Sequence, residues 1–346
     1  MEDDAAVDKE TRLQPKLVKK ECREELLHPN FCDNLYSLPE DLKVDWLSYL
    51  HAENLARIAD AKEFSKLFST ESTTQFIFTV CIRLRLPQEV KYSAALIFET
   101  FMAEHVEELY ALVYKTNYSE RKKYYEWERV ETTVSRHITL RILSAIQVAS
   151  KLHNYHESLS RKAVQMCLKS IGYAYTEDTV MLSELRLLTS LDWNLHYRCT
   201  PLVYAETLLK MLVTRWNRKL NTSDYWQYVL LVLDCVFLFW NDVYKRMLSN
   251  VLRVPAETIH RHQYCRVEAD WVLLSAGVIA TAASCSEGME VADKVIVQLE
   301  KICGTPLTDI TDMCVAIMES ILDREKKNCL SESVSSDELI VFISDL

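Results

Sequence analysis

Apolar side chains recur at three- and four-residue spacing along most of this chain, a period that predicts helices. Residues 1–35 are the exception. They mix acidic and basic residues around isolated Leu and Val, bury too little apolar surface to offset the entropy of ordering, and read as a flexible leader. Over 36–70 the positions Leu42, Trp46, Tyr49, Leu50, Ala56 and Phe64 mark a leading helical segment. The pattern then predicts five helices at roughly 73–85, 88–110, 136–153, 158–171 and 176–192. Five more follow at roughly 201–216, 223–250, 266–285, 289–303 and 306–323. Local chemistry sets several boundaries. Pro87 lacks an amide hydrogen and stops the first helix. Gly172 suits a left-handed helix end, and Thr176 can cap the next helix with Glu177 and Asp178 at its positive end. Thr200 followed by Pro201 is a further start signal.

The two sets of five repeat one unit. Ser144, Ala145, Val148, Ala149 and Ser150 match Ser275, Ala276, Ile279, Ala280 and Thr281 at one constant offset, and Gly172 and Gly304 fall at nearly the same one. A third helix rich in small residues can be approached closely by several neighbours, so each of these should be the buried axis of its bundle. The competing reading is chance likeness of two Ala-rich helices. The pattern therefore predicts an all-α chain of two tandem five-helix bundles, 71–199 and 200–324, with an acidic, Ser-rich tail at 325–346.

Composition supports helices: only 4 Gly and 7 Pro occur in 346 residues, few for a protein of tight hairpins. The 11 Cys lie singly without a C-x-x-C pair and the first residues are acidic, which fits a reducing cytosol or nucleus. The most apolar run, Val229–Trp240, is interrupted by Asp234, so no membrane span is expected. A net charge of -10 argues against direct nucleic-acid binding by the body of the protein. There is no Gly-rich phosphate loop, nucleophile elbow or paired-carboxylate motif, so neither an enzyme nor a cofactor is expected.

Ala149, Ser150 and Lys151 close the third helix, and Glu184 follows in a helix that runs into Leu191, Asp192, Trp193, Asn194 and Leu195. This arrangement resembles the cyclin box. Thr200 and Pro201 are similar to the residues that open the second box in many cyclins. Within the cyclins, the chain looks most like a branch associated with meiotic crossover maturation. The resemblance implies a nuclear regulatory protein of meiotic recombination that binds a cyclin-dependent kinase through its first box. In cyclins the equivalent lysine and glutamate hold the regulatory αC helix of the kinase. Carried over, Lys151 and Glu184 would flank an apolar contact made by Val148, Leu152, Leu188 and Leu195. On chemistry alone, a lysine ending a helix is also an ordinary solvated partner of the helix dipole. The matching positions of the second unit are Ala282 and Val315, so the first bundle should face the kinase.

Departures from the family pattern qualify this expectation. Leu152, His153 and Asn154 stand where common cyclins carry acidic residues. Ser69, Thr70, Glu71, Ser72 and Thr73 replace the arginine-containing apolar motif that captures substrates, with Phe76 in place of its tryptophan, so that docking patch is expected to be absent. Val44, Asp45, Trp46 and Leu47 copy part of the motif too early in the chain.

Three further constellations carry alternatives. The segment 111–135, an insertion between the second and third helices, holds Arg121, Lys122, Lys123, Tyr124, Tyr125 and Trp127. It reads as a structural or flexible loop, a protein-binding edge, or a nucleic-acid contact. His260, His262 and Cys265 form a short cluster without an evident fourth ligand, so no metal is expected. The tail ends in a β-prone run containing Ile340, Val341, Phe342 and Ile343 beside Asp337 and Glu338. It resembles a small-ubiquitin-modifier interaction motif, or folds back on the second bundle. The alternative function is a cyclin-box scaffold that recruits recombination or replication proteins through this insertion and tail without activating a kinase.

Overall fold

A computed structural model describes residues 29, 39–61, 67–154, 156, 158–195, 199–216 and 222–331; the leader 1–35 apart from residue 29, Phe64, and the Ile340–Ile343 run lie outside the described residues. Every extended element among the described residues is a helix, and the all-α fold of two bundles is the observed one. The helices are α1 (Glu40–Ala59), α2 (Glu71–Arg83), α3 (Gln88–Tyr114), α4 (Glu120–His153), α5 (Arg161–Ser170), α6 (Glu177–Ser190), α7 (Pro201–Arg215) and α8 (Thr222–Leu238). After these come α9 (Trp240–Leu252), α10 (Cys265–Glu268), α11 (Trp271–Glu287), α12 (Met289–Cys303) and α13 (Leu307–Ser331).

Two helices rich in small residues are the axes. The C-terminal half of α4 is buried from Ile142 to Ser150 and touches α2, α3, α5 and α6. α11 is buried from Trp271 to Ala283 and touches α7, α8, α12 and α13. Gly277 shows why small residues are required there: a Cβ at this position would overlap the Met313 side chain of α13. Hydroxyls in these cores find backbone carbonyl partners. Ser144 Oγ donates to Leu140 O, and Ser275 Oγ donates to Pro201 O at 3.0 Å.

Four of the described helix starts have side-chain caps, whereas Ser119 at the start of α4 makes none. Thr70, Ser160, Thr176 and Asp270 each accept a hydrogen bond from the amide three residues on. Thr200 makes no such bond, and among the described residues its buried hydroxyl has no partner. Gly172 and Gly304 have φ of 91° and 69°, in the region that favours glycine.

Three expectations are corrected. The insertion at 111–135 is not a loop: α3 runs on to Tyr114 and α4 begins at Glu120, so the two helices project together as an arm. No helix breaker occurs in Glu120–Arg136, and the pairs Glu120–Lys123 and Glu126–Arg129 support its exposed turns. The helix expected over 223–250 is bent by 91° into α8 and α9. The periodicity continues through the bend, but the two sides answer to different neighbours. Phe237 packs against Phe78 and Tyr92 of the first bundle, whereas the Trp240 indole donates to Glu268 of α10 at 2.9 Å. Finally, α13 continues to Ser331, past the end expected near 323.

The bundles meet through α2 and α3 of the first and α8 of the second. Buried Lys91 pairs with Asp234 at 2.7 Å, and Tyr92 OH donates to the other oxygen of that carboxylate at 2.6 Å. Burial and Asp234 together raise the Tyr92 pKa well above that of a free phenol. The leading helix α1 docks on the second bundle, not the first. Tyr204 OH donates to Leu50 O, Asn54 Nδ2 donates to Asp270 Oδ1, and Asn54 Oδ1 accepts from the Trp271 amide. Arg57 lies 3.5 Å over the Trp271 ring, and Trp46 Nε1 donates to Thr207 Oγ1 at 3.1 Å. The early Val44–Leu47 copy thus belongs to a strap across the second bundle.

Candidate functional site

The C-terminal turn of α4 is held from two sides. Ser93 Oγ of α3 is hydrogen-bonded to His153 Nε2 at 2.7 Å, and the Leu159 amide donates to Ser150 Oγ at 2.9 Å. Helix α6 is registered against α4 by Ser183, whose Oγ is hydrogen-bonded to Ser144 Oγ and accepts from Arg141 Nη1, both at 2.8 Å. Glu184 is the next residue. This register brings Lys151 and Glu184 together, and Lys151 Nζ donates to Glu184 Oε1. The lysine side chain is 32% exposed and the carboxylate 13% exposed, so the pair sits at the surface with its acidic member half sunk. One of three ammonium protons is used within the pair, and a partner can still be offered the others.

The apolar positions around the pair divide. Val148 is buried in the core of the first bundle, so it is not available to a partner and its assignment to the contact is corrected. It lies on the inward stripe of α4 with Ser144 and Ala145. Leu188 and Leu195 are partly buried against the same core. Leu195 is carried back to it by a turn in which Asp192 and Trp193 take φ of 48° and 58°, and the Trp193 amide donates to Leu188 O. Leu152 is exposed. So are Met181, Leu182 and Leu185 of α6, which were not foreseen as contact residues. They are detectable as apolar residues off the inward stripe Val180, Ser183, Leu187 and Leu191. Each member of the ion pair is therefore followed by an exposed leucine, Leu152 at 43% and Leu185 at 44%.

On the arm, Tyr124 and Tyr125 are exposed, whereas Trp127 packs edge-on against Tyr110 of α3 with ring centres 5.3 Å apart. Lys122 lies 3.9 Å over the Tyr118 ring and Lys123 pairs with Glu120, so part of the basic and aromatic set is engaged within the arm; Arg121 is exposed beside them. The rings of His260 and His262 stack, and Cys265 Sγ donates to His262 O. Among the described residues, no three His, Cys, Asp or Glu side chains are grouped to hold a metal ion. A cleft of about 1400 Å³ lies between α1, α3 and the turn after α6; its carboxylates include Glu53, Asp60 and Glu107, and neither Lys151 nor Glu184 lines it.

No protein-family model matches the chain. Among curated proteins it is 27% identical over 276 residues to human Cyclin N-terminal domain-containing protein 1, covering 79% of this chain and 82% of the relative. To the mouse protein of the same name it is 26% identical over 274 residues, covering 79% and 81%. A shared sequence along most of both chains, together with an all-α fold of two bundles, makes this chain a cyclin-like protein related to the cyclin N-terminal domain-containing proteins.

Proposed function

We propose that the chain is a non-catalytic regulatory subunit that binds a cyclin-dependent kinase through the first bundle and acts in the nucleus during meiotic recombination, in the maturation of crossovers. The observation that supports the kinase-binding part is the Lys151–Glu184 pair, partly exposed between Leu152 and Leu185. A paired charge with apolar neighbours provides both register and area to an incoming helix. A kinase gains activity when its αC helix is held so that its glutamate meets the ATP-binding lysine, and an outside surface favours that state by binding it better than the other. The meiotic setting rests on the family resemblance alone.

The test is reconstitution of the purified chain with candidate cyclin-dependent kinases. Lys151→Ala combined with Glu184→Ala is expected to weaken kinase binding by about 2 to 5 kcal/mol, as for other disrupted interface charge pairs. Undiminished binding by a folded double variant refutes the assignment.

A second reading, a scaffold that recruits recombination or replication proteins without activating a kinase, is favoured by the exposed Tyr124 and Tyr125 on the arm. Kinase activity of the reconstituted complex separates the two: a bound but inactive kinase supports the scaffold.

A further inference from the structure

At the base of the arm, a cavity of about 420 Å³ opens between α3 and α4, lined by His105, Arg129, His137 and Arg141 together with apolar Met102 and Leu109. The charges in and around it are unevenly matched. Arg129 pairs with Glu126, also in the wall, and Arg186 pairs with Glu108. Arg141 has no carboxylate partner among the described residues. Its Nη1 donates to the carbonyl and hydroxyl oxygens of Ser183, and its guanidinium lies 5.4 Å from the Phe101 ring. Burial and the neighbouring Arg186 both disfavour its charge. His105 stacks on the same Phe101 ring and meets Arg186 Nη2 at 3.3 Å through Nδ1. An arginine can only donate, so Nδ1 accepts and the imidazole proton is on Nε2. Burial, Arg141 and Arg186 lower the pKa of His105 to about 4.

Two guanidinium groups and an imidazole thus crowd one partly buried place whose neighbouring carboxylates, Glu108 and Glu126, are already committed to Arg186 and Arg129. In a protein of net charge -10 this is a local excess of positive charge, at a cost that an anion in the cavity would offset. A guanidinium presents planar, forked donors that match tetrahedral oxyanions. The cavity exceeds the size of a bare phosphate, and its apolar wall suits the carbon atoms of a group that carries one.

We propose that this cavity is an oxyanion site that takes a phosphate group, with Arg141 as its main cationic contact and His105 as a second donor. It does not depend on kinase binding. The phosphate is either a free ion or a monoester on a phosphorylated serine or threonine, and the two sources are separable.

The experiment is calorimetric titration of the full chain with inorganic phosphate, with N-acetyl-phosphoserine amide and with its unphosphorylated form. Binding of both phosphate probes and not of the serine amide is expected. A tighter fit for the phosphoserine amide assigns the site to a phosphorylated partner; equal or tighter binding of inorganic phosphate assigns it to the free ion. Arg141→Gln should weaken binding by about ten-fold or more, the loss of one hydrogen bond to a charged group. Because that change also releases Ser183, His105→Phe, which retains the stack on Phe101, provides a second variant and should weaken binding by roughly three-fold. Absence of binding by either phosphate probe up to about 10 mM, or affinities unchanged in both variants, overturns the proposal.

Discussion

Lys151 and Glu184, on different helices of the first bundle, are bound to each other, and the glutamate is the more buried of the two. A partner therefore meets a pair, not two independent charges. Lys151→Ala and Glu184→Ala alone should each weaken kinase binding nearly as much as both together, because either change leaves the other charge misplaced. Exchanging them, Lys151→Glu with Glu184→Lys, should restore most of the stability lost in the single variants while failing to restore binding. Thermal unfolding and a binding isotherm on these four variants and the parent check both halves.

Leu152 and Leu185 are exposed beside the pair and contribute little to the core. Leu152→Asp and Leu185→Asp should each weaken kinase binding by about ten-fold or more through a charge placed in an apolar contact. Their unfolding free energies should stay within about 0.5 kcal/mol of the parent, as for surface changes in general. Denaturant titration beside the binding assay distinguishes this from a folding defect.

Asn54 is buried and satisfies both Asp270 and the Trp271 amide at the start of α11. Asn54→Ala leaves the Trp271 amide without its partner and takes one of two donors from Asp270, whose Oδ1 still accepts from the Leu273 amide, and should destabilise the protein by about 1 to 3 kcal/mol. Asn54→Asp should be worse at neutral pH, where two carboxylates face each other, and should recover part of the loss on acidification. Chemical denaturation at two pH values measures both effects.

His105 and His153 both have pKa values lowered by burial, His105 to about 4. The unfolded chain binds a proton at His105 below about pH 6.5, whereas the folded protein does not until about pH 4. Stability from this residue is complete above the unfolded value and is lost as pH falls from there toward 4. His105→Phe should therefore flatten the acid side of the stability profile, which denaturation between pH 4 and 7 detects.

The helices and their axes were legible in the sequence because they rest on local rules: a 3.6-residue period, small residues where neighbours crowd, and a capping hydroxyl at Thr176. What sequence missed was decided by distant partners. Nothing local marks Phe239 as a bend, since the bend depends on Phe78 and Tyr92 on one side and Glu268 on the other. The attachment of α1 to Asp270 and Trp271 is equally invisible to periodicity. At the site, spacing placed Lys151 and Glu184 correctly on facing helices, but it treated Val148 as surface because it did not weigh the close approach of α3 to α4. Leu185 escaped notice since an outward leucine beside a glutamate looks ordinary until its exposure is known.

The strap formed by α1 also has a bearing on how the molecule is made. Asn54 finds its partners 216 and 217 positions further along the chain. On the ribosome, then, Leu50 and Asn54 emerge long before the surface that will cover them exists, and α1 must wait until translation has delivered α11. Such distant closures are slow relative to helix formation, so α1 should be the last helix to dock and the first stretch that a chaperone guards.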